Sequence, residues 1–138
     1  MKTVFVDSSV LFSAVNSLTG GSSKLFTIKK IRLMTSRVIL AEVERNTRKK
    51  LQPHHLARFF MLVQKIKILD SLPDDQLIAK TKAIIAIKDA VILAEAKKAK
   101  ADFLVTLDKT HFLTSAVDKF LKPQKALTPK MPLELIKA

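Results

Sequence analysis

Short apolar runs alternate with longer amphipathic stretches along the whole chain. Residues 3–6 (Thr-Val-Phe-Val) are β-branched and aromatic with no polar interruption, the pattern of a buried strand. Asp7, Ser8 and Ser9 follow, and then Val10, Leu11, Ala14 and Val15 recur at helical spacing. Ser22 or Ser23 is placed to cap a helix running to residue 30, and residues 31–34 suit a second strand. Ser36 is a good N-cap for a helix to about residue 50, and Pro53 sits well in the first turn of another, to about residue 65. Ile66, Ile68 and Leu69 make a third strand. Helices are expected over 73–81, 89–100 and 109–119, with a fourth strand over 103–106. Pro123, Pro129 and Pro132 punctuate the end, where an edge strand near Ala126 and a short helix over 133–137 are expected. Strands alternating with helices imply βαβ units. The expectation is a single α/β domain over residues 1–138, with helices on both faces of a central, mostly parallel sheet of four to five strands.

Composition narrows the chemistry. With 48% apolar and 27% charged residues, the 138-residue chain is an ordinary globular polypeptide. Lys and Arg number 25 against 12 for Asp and Glu, a net charge of +13 that favours a polyanionic partner. The absence of cysteine excludes disulfides, thiolate catalysis and Cys-ligated metal sites. Only two glycines, Gly20 and Gly21, leave no room for a Walker loop or a dinucleotide fingerprint. Asp7 ends the N-terminal apolar run too early for a signal peptide, and no other run approaches the ~20 residues a bilayer needs. No membrane association and a cytoplasmic location are therefore expected.

The acidic residues carry the argument further. Ligands of open parallel sheets bind beyond the carboxyl ends of the strands. Asp7 directly follows the first strand, and Asp108 lies two residues after Thr106 at the end of the fourth. Asp89 opens a helix whose apolar face carries Ile92, Leu93 and Ala96. Glu42 lies inside a helix, three and four residues after Ile39 and Val38, which are expected to face the core. A carboxylate on such a face is costly unless it is paired or binds a cation. Taken singly, Asp7, Asp89 and Asp108 are better explained as helix N-caps, worth ~1 kcal/mol each. Glu42 has no capping explanation, and pairing with Arg45 or Arg48 on its own helix is the plain alternative for it. Taken together, four acids gathered at one sheet edge would raise one another's pKa unless a cation is present. Oxygen-only ligands suit Mg²⁺ or Mn²⁺ rather than zinc.

The ordered set Val4-Phe5-Val6-Asp7-Ser8-Ser9-Val10-Leu11, Ile39-Leu40-Ala41-Glu42-Val43, Lys88-Asp89-Ala90-Val91-Ile92-Leu93-Ala94 and Ala101-Asp102-Phe103-Leu104-Val105-Thr106-Leu107-Asp108 resembles the PIN-domain nucleases over nearly the whole chain. The resemblance implies a compact three-layer α/β/α fold and a metal-dependent endoribonuclease. It makes Asp7, Glu42, Asp89 and Asp108 the catalytic, Mg²⁺- or Mn²⁺-binding cluster. Ser9 stands where many members have Asn, a hydroxyl in place of an amide, and Thr106 matches the usual hydroxyl beside the last acid. Members often serve as VapC-like toxins silenced by an antitoxin, while others process RNA; a homodimer is expected on the same ground.

Asn46, four residues after Glu42, is a candidate to orient that carboxylate. Arg45, Arg48 and Lys49 follow Glu42 on the same helix and are candidates to hold phosphates flanking a cut in RNA. Ser8, Ser9 and Thr106 are placed to hydrogen-bond a carboxylate or water, or simply to start helices. His111, three residues past Asp108, is expected to be structural or on the surface. A catalytically silent RNA-binding module of the same fold is the alternative. A signalling receiver is disfavoured, because Asp7 is followed by two serines rather than by an acid. A phosphoaspartyl hydrolase would need a second Asp at position 9, where Ser9 stands.

Overall fold

The computed structural model describes residues 1–70 and 73–130. Its centre is a strand of residues that have no affinity for water: Val4, Phe5 and Val6 of β1 (Lys2–Val6) expose no surface. β1 pairs in parallel with β2 (Ile31–Ser36) on one side and with β4 (Phe103–Val105) on the other. β3 (Ile66–Leu69) pairs with β2, and β5 (Lys125–Leu127) with β4, again in parallel. Among the described residues the sheet has the order β3-β2-β1-β4-β5. Burial on both faces explains why β1 and β4 read as continuous apolar runs rather than as alternating ones.

The order matters for function. From β1 the chain steps outward through β2 to β3, then returns to place β4 against the other edge of β1. The C-terminal ends of β1 and β4 therefore flank the point where winding reverses, the place where such sheets leave a crevice for a ligand. Asp7 and Asp108 stand at those ends.

Helices cover both faces. α1 (Ser8–Asn16) buries Val10, Leu11, Ala14 and Val15 at the spacing read from the sequence. α3 (Arg37–Lys50) begins at Ser36, whose hydroxyl accepts the Ile39 N–H. α4 (Pro53–Val63) starts on Pro53 and is closed by reciprocal bonds between Gln52 and His55. α5 (Asp75–Lys82) is capped by Asp74, and α6 (Ile87–Ala99) buries an unbroken run from Asp89 to Ala96 apart from Val91. No helix among the described residues is long and apolar enough to cross a membrane.

Three expectations differ from the structure. The helix expected to reach residue 30 is only α2 (Gly21–Leu25). Its N-cap is Gly20, at φ +101°, while Ser22 and Ser23 are buried and Ser23 bonds the carbonyls of Ala14 and Ser17. The helix expected over 109–119 is two, α7 (Lys109–Phe112) and α8 (Ser115–Leu121), because the Thr114 hydroxyl accepts the Val117 N–H and starts a second one. Val38, expected to face the core, is 42% exposed, since only Ile39, Val43 and Thr47 of α3 are buried. The short helix expected over 133–137 lies outside the described residues.

Candidate active site

Asp7 occupies the N-cap position of α1, yet its carboxylate caps no backbone N–H. It is 3% exposed and is held by hydroxyls instead. Thr106 Oγ1 donates to Asp7 Oδ2 at 2.8 Å, Ser9 Oγ donates to the same oxygen at 2.9 Å, and Ser8 Oγ approaches Oδ1 at 3.4 Å. Each hydroxyl that gives its proton to Oδ2 has lone pairs left over, and the backbone fills them. Leu107 N–H donates to Ser9 Oγ at 3.0 Å, and Asp108 N–H donates to Thr106 Oγ1 at 3.0 Å. Asp7 thus ties the loop after β4 to the start of α1. Ser9 and Thr106 are the joints, so the hydroxyl at position 9 has a definite task.

Asp108 follows at once. It is the N-cap of α7: its Oδ1 accepts the His111 N–H at 3.0 Å, and the His111 ring Nδ1 lies 2.8 Å from Oδ2. Burial alone would raise its pKa. The backbone and side-chain bonds from His111, with the charges of His111 and Lys88, hold the carboxyl below the usual carboxylate range.

Asp89 sits in the first turn of α6, whose N-cap is Ala86, so its side chain is not a cap. It is 9% exposed, and its Oδ2 is buried with no hydrogen-bond partner among the described residues. Burial pushes its pKa up, and the nearby charges of Asp108 and Asp7 push in the same direction against Lys88 and His111. One carboxylate oxygen each of Asp89 and Asp108 and one ring nitrogen of His111 lie within 4.8 Å of one another. A divalent cation fits this group: it would satisfy the orphaned Asp89 oxygen and offset the repulsion among three aspartates.

The structure therefore brings Asp89, Asp108 and His111 together, with Asp7 outside that group but close enough for its charge to act on Asp89. Glu42 stands apart: it is half-buried on α3, makes no hydrogen bond or ion pair among the described residues, and is not among the charges acting on Asp89. No hydrogen bond joins Asn46 to it. Arg45, Arg48 and Lys49 are exposed on the same helix, and Arg48 Nε bonds Glu44 at 3.1 Å rather than Glu42.

Sequence reasoning passed over two residues. His111, expected to be structural or on the surface, does bond Asp108 and also joins the acidic group; its position one helical turn after an N-capping aspartate was the available signal. Glu95 is 5% exposed, has an unpartnered Oε1, and has the Ser36 hydroxyl as its hydrogen-bonding neighbour. Burial raises its pKa against that single bond. A lone acid inside Ala90-Val91-Ile92-Leu93-Ala94-Glu95-Ala96 was legible as an anomaly.

Residues 4–116 match the sequence profile of the PIN domain. No curated protein sequence is similar enough to count as a match. Among solved structures, the chain is similar to VapBC2 from Rickettsia felis bound to a DNA fragment from their promoter: TM-score 0.70, 16% identity, 90% of this chain and 96% of the other. It is similar to PAE2754 from Pyrobaculum aerophilum at TM-score 0.66 and 16% identity, over 99% of this chain and 97% of the other. It is also similar to VapC20 from Mycobacterium tuberculosis, described as a sarcin–ricin loop cleaving toxin: TM-score 0.59, 15% identity, 78% of this chain and 91% of the other.

Proposed function

We propose, from the premise that the chain belongs to the PIN-domain family, that it is a divalent-cation-dependent endoribonuclease acting as the toxin of a toxin–antitoxin pair. The observation that carries this reading is the buried, unpartnered oxygen of Asp89 beside Asp108 and Asp7, at the point where the sheet reverses its winding. Relatives of the same fold include a toxin–antitoxin complex from Klebsiella pneumoniae, at 18% identity and TM-score 0.64.

Asp7, Asp89 and Asp108 would hold Mg²⁺ or Mn²⁺, with Glu42 as the fourth carboxylate expected from the family resemblance. A bound cation supplies Lewis acidity at the scissile phosphate and lowers the pKa of the attacking water. The chain itself does the rest. Thr106 and Ser9 fix the Asp7 carboxylate from two sides, so its orientation does not have to be found anew in each turnover. The bonds from His111 offset the effect of burial on Asp108 and fix the direction of its carboxylate. The chain has no cysteine, and Ser9 and Thr106 donate their protons to Asp7, so a water activated by the cation, rather than a protein side chain, is assigned the attack. Its attack on phosphorus breaks one P–O bond and leaves a phosphate monoester and a free hydroxyl. Arg45, Arg48 and Lys49 would hold flanking phosphates, in keeping with the +13 charge. The antitoxin would be a small acidic protein, and a second copy of the chain a further partner.

The test is cleavage of RNA by the purified protein with EDTA, Mg²⁺ or Mn²⁺, for wild type and Glu42→Gln. Cleavage that needs the cation and is lost in a folded Glu42→Gln supports the assignment. RNA binding without cleavage under any cation would instead favour the silent RNA-binding module.

A further inference from the structure

A cleft of about 300 Å³ opens beside the acidic group. It is lined by Ala83, Ile84 and Ile85, from the turn that joins α5 to α6, and by Thr110, His111 and Thr114, from α7 and the cap that follows it. We propose that this cleft receives one nucleobase, that of a nucleotide next to the scissile phosphate, stacked on the His111 ring. The inference rests on the proposed endoribonuclease activity and adds a base-binding subsite to it.

Placement carries it first. His111 belongs both to the acidic group, with Asp89 and Asp108, and to the lining of the cleft. A phosphate held at the carboxylates by a cation therefore has its neighbouring base delivered to the mouth of the cleft.

The chemistry of the lining carries it second. Unpaired bases in RNA are recognised by stacking on aromatic side chains, histidine among them, and by hydrogen bonds to their edges. The chain has no Trp or Tyr, and Phe112, next to His111, is buried. The His111 side chain is 40% exposed and so offers the aromatic surface here. Its Nδ1 lies 3.1 Å from Asp108 Oδ1 and 2.8 Å from Oδ2, which fixes the ring in advance. A ring already fixed loses little freedom when a base stacks on it. Ala83, Ile84 and Ile85 supply the apolar surface a base needs besides the ring. The Thr114 hydroxyl accepts the Val117 N–H and keeps its own proton to donate to an acceptor on the base edge. Apolar surface also continues around the charged centre, since Ile87 and Leu107, just before Asp89 and Asp108 in the chain, are exposed.

The experiment first maps where the purified protein cuts single-stranded RNA with Mn²⁺. The cleaved oligonucleotide is then compared with copies carrying an abasic ribose on the 5′ or the 3′ side of the cut. The readout is the abasic penalty, the ratio of kcat/KM for the complete and abasic substrates. Any service of His111 to Asp108 acts on both substrates alike and cancels in that ratio. In wild type, removing the base on one side should lower kcat/KM by at least about tenfold. Ala83→Leu fills the cleft at an exposed position, and His111→Ala removes the ring; in both the penalty should shrink below about threefold. His111→Phe keeps a ring and should keep the penalty, even as its overall rate falls. If His111→Ala cleaves neither substrate, Ala83→Leu decides alone. Equal cleavage of complete and abasic RNA by wild type, or a penalty unchanged or raised in Ala83→Leu, overturns the subsite and leaves the nuclease standing. No RNA cleavage by wild type with any cation overturns both. Circular dichroism of the variants checks that they remain folded.

Discussion

Replacing Thr106 by Val tests the joint that holds Asp7. The substitution exchanges a hydroxyl for a methyl of similar size in a position with no exposed surface, so it opens no cavity. It removes the 2.8 Å bond to Asp7 Oδ2, a bond to a charged acceptor worth about 1.5–3 kcal/mol. It also strips the Asp108 N–H of its 3.0 Å acceptor, an orphaned donor costing about 1 kcal/mol at a half-buried site. A total near 3 kcal/mol is large against the 5–15 kcal/mol that holds a typical domain together. Ser9→Ala removes the second donor to the same oxygen. Water can partly replace it there, and its cost is expected near 1 kcal/mol. Either remaining hydroxyl partly compensates for loss of the other, so the double variant should lose more than the two single losses combined. Urea unfolding in EDTA at pH 7, followed by circular dichroism, measures all three. A Thr106→Val protein within about 0.5 kcal/mol of wild type, with additive effects in the double variant, would show that these hydroxyls do not hold Asp7.

Other expectations follow from the charges. Glu95 is protonated more readily in the fold than in the unfolded chain, whose value is near 4.5, so wild-type stability should decline as pH rises above that value until the buried carboxyl ionises. Glu95→Gln should flatten that part of the curve, and an unchanged slope would contradict the assignment. Asp102 behaves oppositely. The Thr3 N–H bond, 2.8 Å from Oδ2, heads the causes holding its pKa below 3.8, so its stabilisation is present above that value and disappears as pH falls through the folded-state pKa. Because Asp102 is exposed, Asp102→Asn should cost only about 0.5–1 kcal/mol at pH 7 and nothing in strong acid, read by thermal unfolding. Asp89→Asn should raise the unfolding midpoint in EDTA at pH 7 while abolishing cleavage, because it removes an unfavourable buried charge; a lowered midpoint would argue against repulsion at the site. Replacing Arg45, Arg48 and Lys49 together by Ala should flatten the dependence of log K for single-stranded RNA on log salt by about 2, and an unchanged slope would remove these residues from the interface.

Much of this was legible before any coordinates. β1 and β4 announced themselves as continuous apolar runs because a parallel strand covered on both faces needs apolar residues throughout, and β2 and β3 as short β-branched runs broken by one basic residue each, Arg32 and Lys67. Asp7 and Asp108 were found by asking which acids end strands. The misjudgements came from information that is not local. Val38 and Ile39 are equally apolar, and only packing decides that one is buried and the other exposed. Asp89 looked like a cap because a helix start was placed two residues late. Thr114 split a helix that periodicity alone would continue, because a hydroxyl acceptor competes with the next turn. The spacing 108–111 was enough to tie His111 to Asp108, but its nearness to Asp89 depends on a second helix, and no pattern within residues 108–112 encodes that.

The central claim is that Asp7, Asp89 and Asp108 together hold a divalent cation. Anomalous scattering from crystals of the protein equilibrated with Mn²⁺ tests it without reference to activity. The account predicts a strong anomalous peak among those three carboxylates. A peak elsewhere, or none at Mn²⁺ concentrations that support RNA cleavage, would contradict it.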